Sequence, residues 1–581
     1  MRLTARLKRQ ILLDNLFGVD IDAQAVEVTR FSLSLKALED TRRDELYQER
    51  TLFQQTVLPD LSHNIMNGNS LIGSDYFTSQ MFADPEERTR VNPFDWQVGF
   101  PGIVVAGGFD AVIGNPPYIR IQTLQETNPE QVPYLKGHYK TAGSGNYDIY
   151  VVFVEKGLSL LNDRGRLGFI LPHKFFNAKY GEALRGLIAE GRHLGYVVHF
   201  GDQQIFDGVS TYTALMFLDK HGNDQFEVVK VSDLDEWRQQ QVAAPSTTQP
   251  SSTAGTLPAP AVTAAEWNFT VGKGTALFER LGRMPVKLEN TTDRIFQGIK
   301  TSADKIYIVE ERERKSGRVK VYSPEKDAEY WLEPDLLHPL IKGGDSRRYI
   351  LSRTNRLILF PYAPGHDGSS TLISEAVLKS EYPLTWMYLV DNRAYLENRE
   401  HGKMKGKQWY GYGRIQALDV MPLPKLFTPD IAQHASFSLD ETGEAFFTGG
   451  VAGGYGILVQ RNQSREYILG LLNSKVLEWV IKQSATQMRG GYYSFESRFI
   501  RTLPIRAINF SDRADKARHD RVVKLVESML ALHKQKVAAR TVPEQDQLQR
   551  RIDASDRQID ALIYELYELT SEEIAVVEGK G

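Results

Sequence analysis

The chain has no cysteine, which removes disulfides, thiol catalysis and cysteine-ligated zinc together. Its twelve histidines are scattered and form no His-Glu-x-x-His pair, so a metal centre has little support. No apolar run approaches the ~18 residues that a membrane span needs. The start, Met1-Arg2-Leu3-Thr4, has no secretory hydrophobic core, and a cytoplasmic protein is expected. Nor is there an excess of charge: 70 Lys and Arg against 73 Asp and Glu leave −3. That balance neither favours nor excludes nucleic acid, because a binding cleft needs only a local positive surface. What the chain does have is length, and 581 residues leave room for two or three domains with sizeable cores.

One stretch organises the rest. Phe109 to Arg120 reads Phe-Asp-Ala-Val-Ile-Gly-Asn-Pro-Pro-Tyr-Ile-Arg, and Ala111, Val112 and Ile113 are predicted as a buried parallel strand ending at Gly114. Asn115-Pro116-Pro117-Tyr118 then lies where the strand opens into a loop, the place where open α/β sheets bind ligands. The prolines fix φ and donate no amide hydrogen, so the carbonyls of Asn115 and Pro116 can be held outward as acceptors. The Asn115 side-chain oxygen and the Pro116 carbonyl suit the two hydrogens of an exocyclic amino group, whose delocalised lone pair becomes nucleophilic once they are held. Tyr118 can stack on the ring that carries that group. A strained turn with an exposed Tyr is the competing reading.

With these residues the chain resembles the amino-methylating DNA methyltransferases that modify adenine at N6 and carry Asn-Pro-Pro-Tyr. The resemblance implies S-adenosylmethionine as cofactor, double-stranded DNA as partner, and a catalytic set of Asn115, Pro116, Pro117 and Tyr118. It also places an aromatic residue in the loop after a later strand, to stack on the flipped base from the other face, and Phe206 fits that position; a buried loop anchor is the alternative. Upstream, Leu16 to Val19 is predicted as a short buried strand ending on acid, followed by a helix from Ala23 whose Glu27 and Arg30 face water. The resemblance implies that Asp20 holds the cofactor ribose and Ile21 packs on its adenine, where Asp22 could instead be a plain N-cap. Asn69, in Asn67-Gly68-Asn69, matches the family's adenine-contacting position, where many relatives carry Asp; a turn role competes. Asp75 to Gly102 reads as a surface insertion.

Strand, helix and strand alternate on to Leu218, which favours a parallel α/β sheet. Residues 241–266 turn to Ala, Pro, Ser, Thr and Gln and are expected to be a disordered linker after a catalytic domain at 1–240. Residues 267–510 differ in texture, with three basic-aromatic clusters: Lys342 to Tyr349, Lys403 to Arg414, and Arg489 to Phe495. Cations neutralise phosphates, glycines admit the backbone and aromatics stack, so Lys342, Arg347, Lys403, Lys405, Lys407, Trp409, Tyr410, Arg414, Arg489 and Tyr492 are the DNA-binding candidates. The segment is similar to TaqI-like C-terminal specificity domains of type II and fused restriction-modification enzymes. Residues 511–581 are predicted as an antiparallel helical pair.

The expected fold is therefore α/β: a Rossmann-like methyltransferase domain lacking its first strand, a mixed α/β target-recognition domain and a C-terminal helical pair. The family's Gly-rich cofactor turn should precede Asp20, and the nineteen residues before it contain none. A fragment or split enzyme completed by a separate polypeptide carrying that turn is one expectation, and a catalytically inactive DNA-recognition protein is another. Asn-Pro-Pro-Tyr also suits a glutamine amide, so a protein glutamine methyltransferase stays open, against the long basic and aromatic C-terminal region.

Overall fold

A computed structural model of the protein describes residues 3–39, 58–78, 84–143, 145–206, 211–243, 252–365 and 369–580. The chain forms two compact units, Met1–Val271 and Gly272–Gly581.

In the first unit, Thr4 caps helix α1 (Ala5–Asn15) by accepting from the Leu7 amide. Leu3, Leu7 and Ile11 recur at helical spacing but face outward, and Ala5 and Leu12 are buried instead. Strand β1 (Gly18–Asp20) follows, and Asp22 caps α2 (Ala23–Leu38). β1 pairs in parallel only with β2 (Ile65–Asn67). Arg30 is not a water-facing residue: its guanidinium donates to the carbonyls of Ile65 and Ser62, tying α2 to the start of β2.

A separate six-stranded sheet holds β3 (Phe109–Gly114), β4 (Leu161–Pro172), β5 (Leu194–His199), β6 (Thr213–Asp219), β7 (Gln225–Val231) and β8 (Ser252–Pro258), in the order β3-β4-β6-β5-β7-β8. β3 and β4 run parallel, as do β5 and β7, while β6 is antiparallel to both its neighbours. Helix α3 (Tyr150–Leu160) packs its buried Val151, Val152 and Val154 in the core beside the sheet. A doubly wound sheet divides in this way when a strand between β1 and β3 is missing from it. Among the described residues neither strand has a second partner.

Three expectations need correction here. β3 is not a buried strand: among the described residues it is the sheet edge, and Ile113 is 84% exposed because no described residue covers that side. The segment from Asp75 to Gly102 is no surface insertion, since Val91, Phe94 and Phe100 are buried, the rings of Phe94, Trp96 and Phe100 pack on one another, and Trp96, Phe100 and Phe17 pack on Phe109. The presumed linker holds β8, which zips antiparallel along the whole of β7, so backbone pairing orders residues whose side chains bury little. The part of that stretch at 244–251 lies outside the described residues.

Besides one sheet of three strands and two of two strands, the described residues of the second unit form a six-stranded and a four-stranded sheet. The larger contains β10 (Ile308–Lys315), β11 (Arg318–Ser323), β12 (Ala328–Leu332), β13 (Leu337–Ile341), β14 (Arg356–Leu359) and β17 (Phe446–Phe447), ordered β12-β11-β10-β14-β13-β17. The smaller has β9 (Thr292–Gln297), β15 (Lys425–Pro429), β16 (Ser438–Asp440) and β18 (Gly454–Val459), ordered β16-β15-β18-β9. The helical turns of α4 (Arg393–Gly402) break at Arg399. Helices α5 (Arg465–Asn473), α6 (Lys475–Ser484), α7 (Arg513–Ala538) and α8 (Val542–Leu566) follow. The C-terminal helices pack into the unit: Val522, Val526, Met529, Ile559 and Ile563 share one core with Ile468, Leu472 and Ile457 of α5 and β18. Among the described residues no helix is long and apolar enough to cross a membrane.

Candidate functional site

Asn115-Pro116-Pro117-Tyr118 leaves the carboxyl end of β3, beside the matching end of β4. Pro116 is buried and fixes the loop, while Asn115 is exposed. Tyr118 is half-buried: its ring meets Tyr150 of α3 edge-on at 6.4 Å. Its hydroxyl donates to Asn115 Oδ1 at 2.8 Å and is also 3.4 Å from the Ile170 carbonyl of β4. Burial pushes that hydroxyl up to about 12, so it stays protonated and remains a donor at neutral pH. The carboxamide oxygen has two lone pairs, so one is left for a substrate donor. Phe206 is exposed on the loop between β5 and β6. It is not a buried anchor.

The carboxyl ends of β1 and β2 form the second part of the site. Asn67 Nδ2 donates to the carbonyls of Asp20 and Ile21 at 3.0 Å each, and the Gly68 amide donates to Asp20 at 2.9 Å. These bonds hold the Asp20-Ile21 turn rigidly. Asp20 Oδ1 accepts from the Asp22 amide at 2.8 Å, and the carboxylate is otherwise exposed. Ile21 is 56% exposed. An exposed carboxylate next to an exposed apolar side chain suits a ribose diol and a flat ring. Asn69 is different: it is buried, its Oδ1 accepts from the Leu71 amide at 3.1 Å, and its Nδ2 lies 3.5 Å from Gln131 Oε1. In this arrangement its side chain braces a turn.

In the second unit the three clusters separate by burial. Lys342 and Arg347 are exposed, but the neighbouring Arg348 pairs with Asp556 and Asp560 and Tyr349 is buried. Lys403, Lys405, Lys407 and Arg414 are exposed. Trp409 and Tyr410, expected as stacking residues, are only 2% and 3% exposed. Trp409 packs on Trp386, and the Tyr410 hydroxyl donates to the Ile373 carbonyl. They are core residues, because the aromatic half of this cluster is the inner lining of the loop that carries the lysines. Arg489 and Tyr492 stand at the tip of a hairpin where Gly490 and Gly491 both have positive φ, the backbone that tight hairpin turns demand.

Arg399 is the residue that sequence reasoning missed. It is buried and donates to four carbonyls: Leu396 at 2.8 Å, Thr301 at 2.8 Å, Trp409 at 2.7 Å and Gly411 at 2.9 Å. It thereby joins the 298–302 segment to the lysine loop, and Lys300 forms a β-bridge with Arg414. Ser302, Glu400, His401 and Ala417 around it all have positive φ, strain that a folded scaffold must hold in place. In the sequence, Arg399 sits in a charged run that looks like solvated surface.

Comparison with known proteins agrees with this division. Residues 14–206 match the Eco57I restriction-modification methylase family, and residues 338–505 match the TaqI-like C-terminal specificity domain. The type II restriction enzyme and methyltransferase RM.Eco57I of Escherichia coli is 28% identical over 99% of the chain and 56% of its own length. The type II methyltransferase M.PaeR7I of Pseudomonas aeruginosa is 26% identical over 69% of the chain and 65% of its length. The chain thus spans less than two thirds of either relative. Among solved structures, that of the type IIL restriction-modification enzyme MmeI in complex with DNA resembles it in fold, with a TM-score of 0.56 at 13% identity, over 98% of this chain and 66% of that one. By these matches residues 14–206 are similar to the Eco57I restriction-modification methylase family and residues 338–505 to the TaqI-like C-terminal specificity domain.

Proposed function

We propose that the chain is the base-binding and DNA-recognition part of an S-adenosylmethionine-dependent methyltransferase that modifies N6 of adenine in duplex DNA, within a restriction-modification or related phage-defence system. The observation that carries this reading is the exposed Asn115 carboxamide beside the rigid prolines and the half-buried Tyr118, at the carboxyl end of a sheet strand. That geometry presents an acceptor to an amino group and a ring edge to a base. Phe206 faces solvent and is free to take the base's other face. The lysines at 403, 405 and 407 with Arg414, Lys342, Arg347, Arg489 and Tyr492 supply the phosphate and groove contacts.

The residues present fit the nucleoside half of the cofactor. Asp20 would hold the ribose and Ile21 the adenine, whereas the brace made by Asn69 leaves it a supporting part. S-adenosylmethionine supplies an electrophilic methyl group when bound. The chain's own work is to hold the base, orient its amino nitrogen at Asn115 and exclude water. The unpaired edges of β1 and β3 and the exposure of Ile113 favour completion of the site by a strand with a Gly-rich turn, contributed by a separate polypeptide.

The test is labelled methyl transfer to unmethylated genomic DNA, with nucleoside analysis, alongside calorimetry of cofactor binding. N6-methyladenine in the product supports the reading; labelled protein with unlabelled DNA would replace it with glutamine methylation. Sequence-specific DNA binding without cofactor binding would make the chain a recognition protein.

A further inference from the structure

The loop from β5 to β6 that carries Phe206 does not simply emerge from the sheet. Near its start, Gly201 is held at both its amide and its carbonyl. The Gly201 amide donates to His199 Nδ1 at 3.0 Å, and the Gly201 carbonyl is 3.2 Å from His173 Nε2, which donates to it. The two imidazoles lie 4.3 Å apart, and His173 is buried. Gly201 itself has φ +59°, so the chain turns sharply at the held residue. The far foot of the loop is also held by His173, whose backbone amide donates to the Tyr212 carbonyl at 3.2 Å. Between these points Gln203 bridges to Val231 and Leu234, and Arg238 donates to the Ile205 carbonyl.

The place of His173 gives this grip its meaning. It follows directly on Pro172, the last residue of β4, and Ile170 of the same strand offers its carbonyl to Tyr118. Both aromatic faces of the proposed base sandwich are therefore referenced to one strand end, Ile170 to His173. We infer that His173 and His199 are a positioning pair that fixes Gly201 through its amide and its carbonyl and sets the distance and tilt of Phe206 relative to Tyr118. The grip needs His199 unprotonated at Nδ1, as acceptor, and a proton on His173 Nε2, as donor. Burial lowers the pKa of both, and for His199 the charges of His173 and its cross-strand neighbour Lys230 add to it. Lys230 is itself brought down to about 8 by burial. Both histidines bond to Gly201, so their effect passes through Phe206.

This inference rests on the methyltransferase reading, and one set of full-chain variants separates the two. His199→Leu removes the acceptor and His199→Asn restores one; His173→Leu removes the donor and His173→Gln restores one. Amide hydrogen exchange of the segment 200–206 should rise about tenfold in the two Leu variants with β4 still protected, and return towards wild type in the Asn and Gln variants. In labelled methyl transfer to genomic DNA, the Leu variants should lose kcat about tenfold with KM for the cofactor unchanged, and the polar replacements should recover it. Unchanged exchange in the Leu variants, or faster exchange with unchanged kcat, overturns the positioning role. If Leu and polar variants lose kcat alike with β4 exposed, the histidines are structural and the inference fails. Labelling of protein and not of DNA by the wild-type chain fails the parent reading, and the positioning role falls with it.

Discussion

The Tyr118 hydroxyl donates to Asn115 Oδ1 at 2.8 Å, so the aromatic residue of the motif also aims its amide. The bond fixes which way the carboxamide faces, at the point where an incoming amino group needs its oxygen. Asn115→Ala should lower methyl transfer about a hundredfold or more, as loss of one preorganised group does, with DNA binding by gel shift nearly intact. Tyr118→Phe keeps the ring and loses only this bond; a net hydrogen bond of about 1 kcal/mol predicts a fall of about fivefold. Equal activity of Tyr118→Phe and wild type would remove the aiming role.

Arg399 replaced by Ala should destabilise the second unit by about 3 kcal/mol or more, because several buried carbonyls lose their donor at once. Arg399→Lys should fall between, since an ammonium cannot span the carbonyls of Leu396, Thr301, Trp409 and Gly411 with a planar fork. Urea unfolding followed by tryptophan fluorescence measures both.

Lys405→Ala with Arg414→Ala should weaken DNA binding and reduce the slope of log K against log salt by about 1.8, two phosphate contacts at ~0.9 each. Trp409→Ala should leave that slope alone and instead cost about 3–5 kcal/mol of stability, as truncation of a buried aromatic does. A Trp409 variant that is stable but defective in DNA binding would reverse the assignment made from its burial.

Ile113→Lys should change the stability of the chain by less than about 0.5 kcal/mol, the range for surface substitutions, since the side chain is already exposed on the edge of β3. If a second polypeptide pairs there, the same substitution should abolish its capture in pull-down. Wild-type stability loss above that range would mean that Ile113 is covered.

His338 stacks on Phe446 at 4.1 Å, and burial, helped by the charge of Lys425, holds its pKa down at about 4. The folded state then refuses a proton that the unfolded state accepts near pH 6.5, so this residue's contribution is intact above 6.5 and is lost as pH falls from there towards 4. Below 4 the loss stops growing. The stability difference between wild type and His338→Phe, measured by denaturant titration across this range, should move in favour of the variant as pH falls. A difference independent of pH would place the His338 ring in water.

What the sequence determined by itself was whatever depends on short-range order. The Asn-Pro-Pro-Tyr motif at a strand end, the acid after β1 at Asp20, the strands β5 and β6 around Phe206 and the helical pair at 513–566 all follow from local pattern and turn chemistry. Burial was less legible, because it depends on what lies on the other side of a strand or loop. Ile113 has the side chain of a core residue and lies open, while Trp409 and Tyr410 sit among lysines and glycines and lie in the core. β8 formed from a stretch with almost no apolar signal because β7 offered it a continuous row of backbone partners. The contacts that shape the site join residues far apart in the chain: Arg399 with Thr301, and His173 with Gly201 and Tyr212. Only the tertiary structure decides these, because their bonds go to main-chain carbonyls and amides, which every residue carries and no sequence pattern distinguishes.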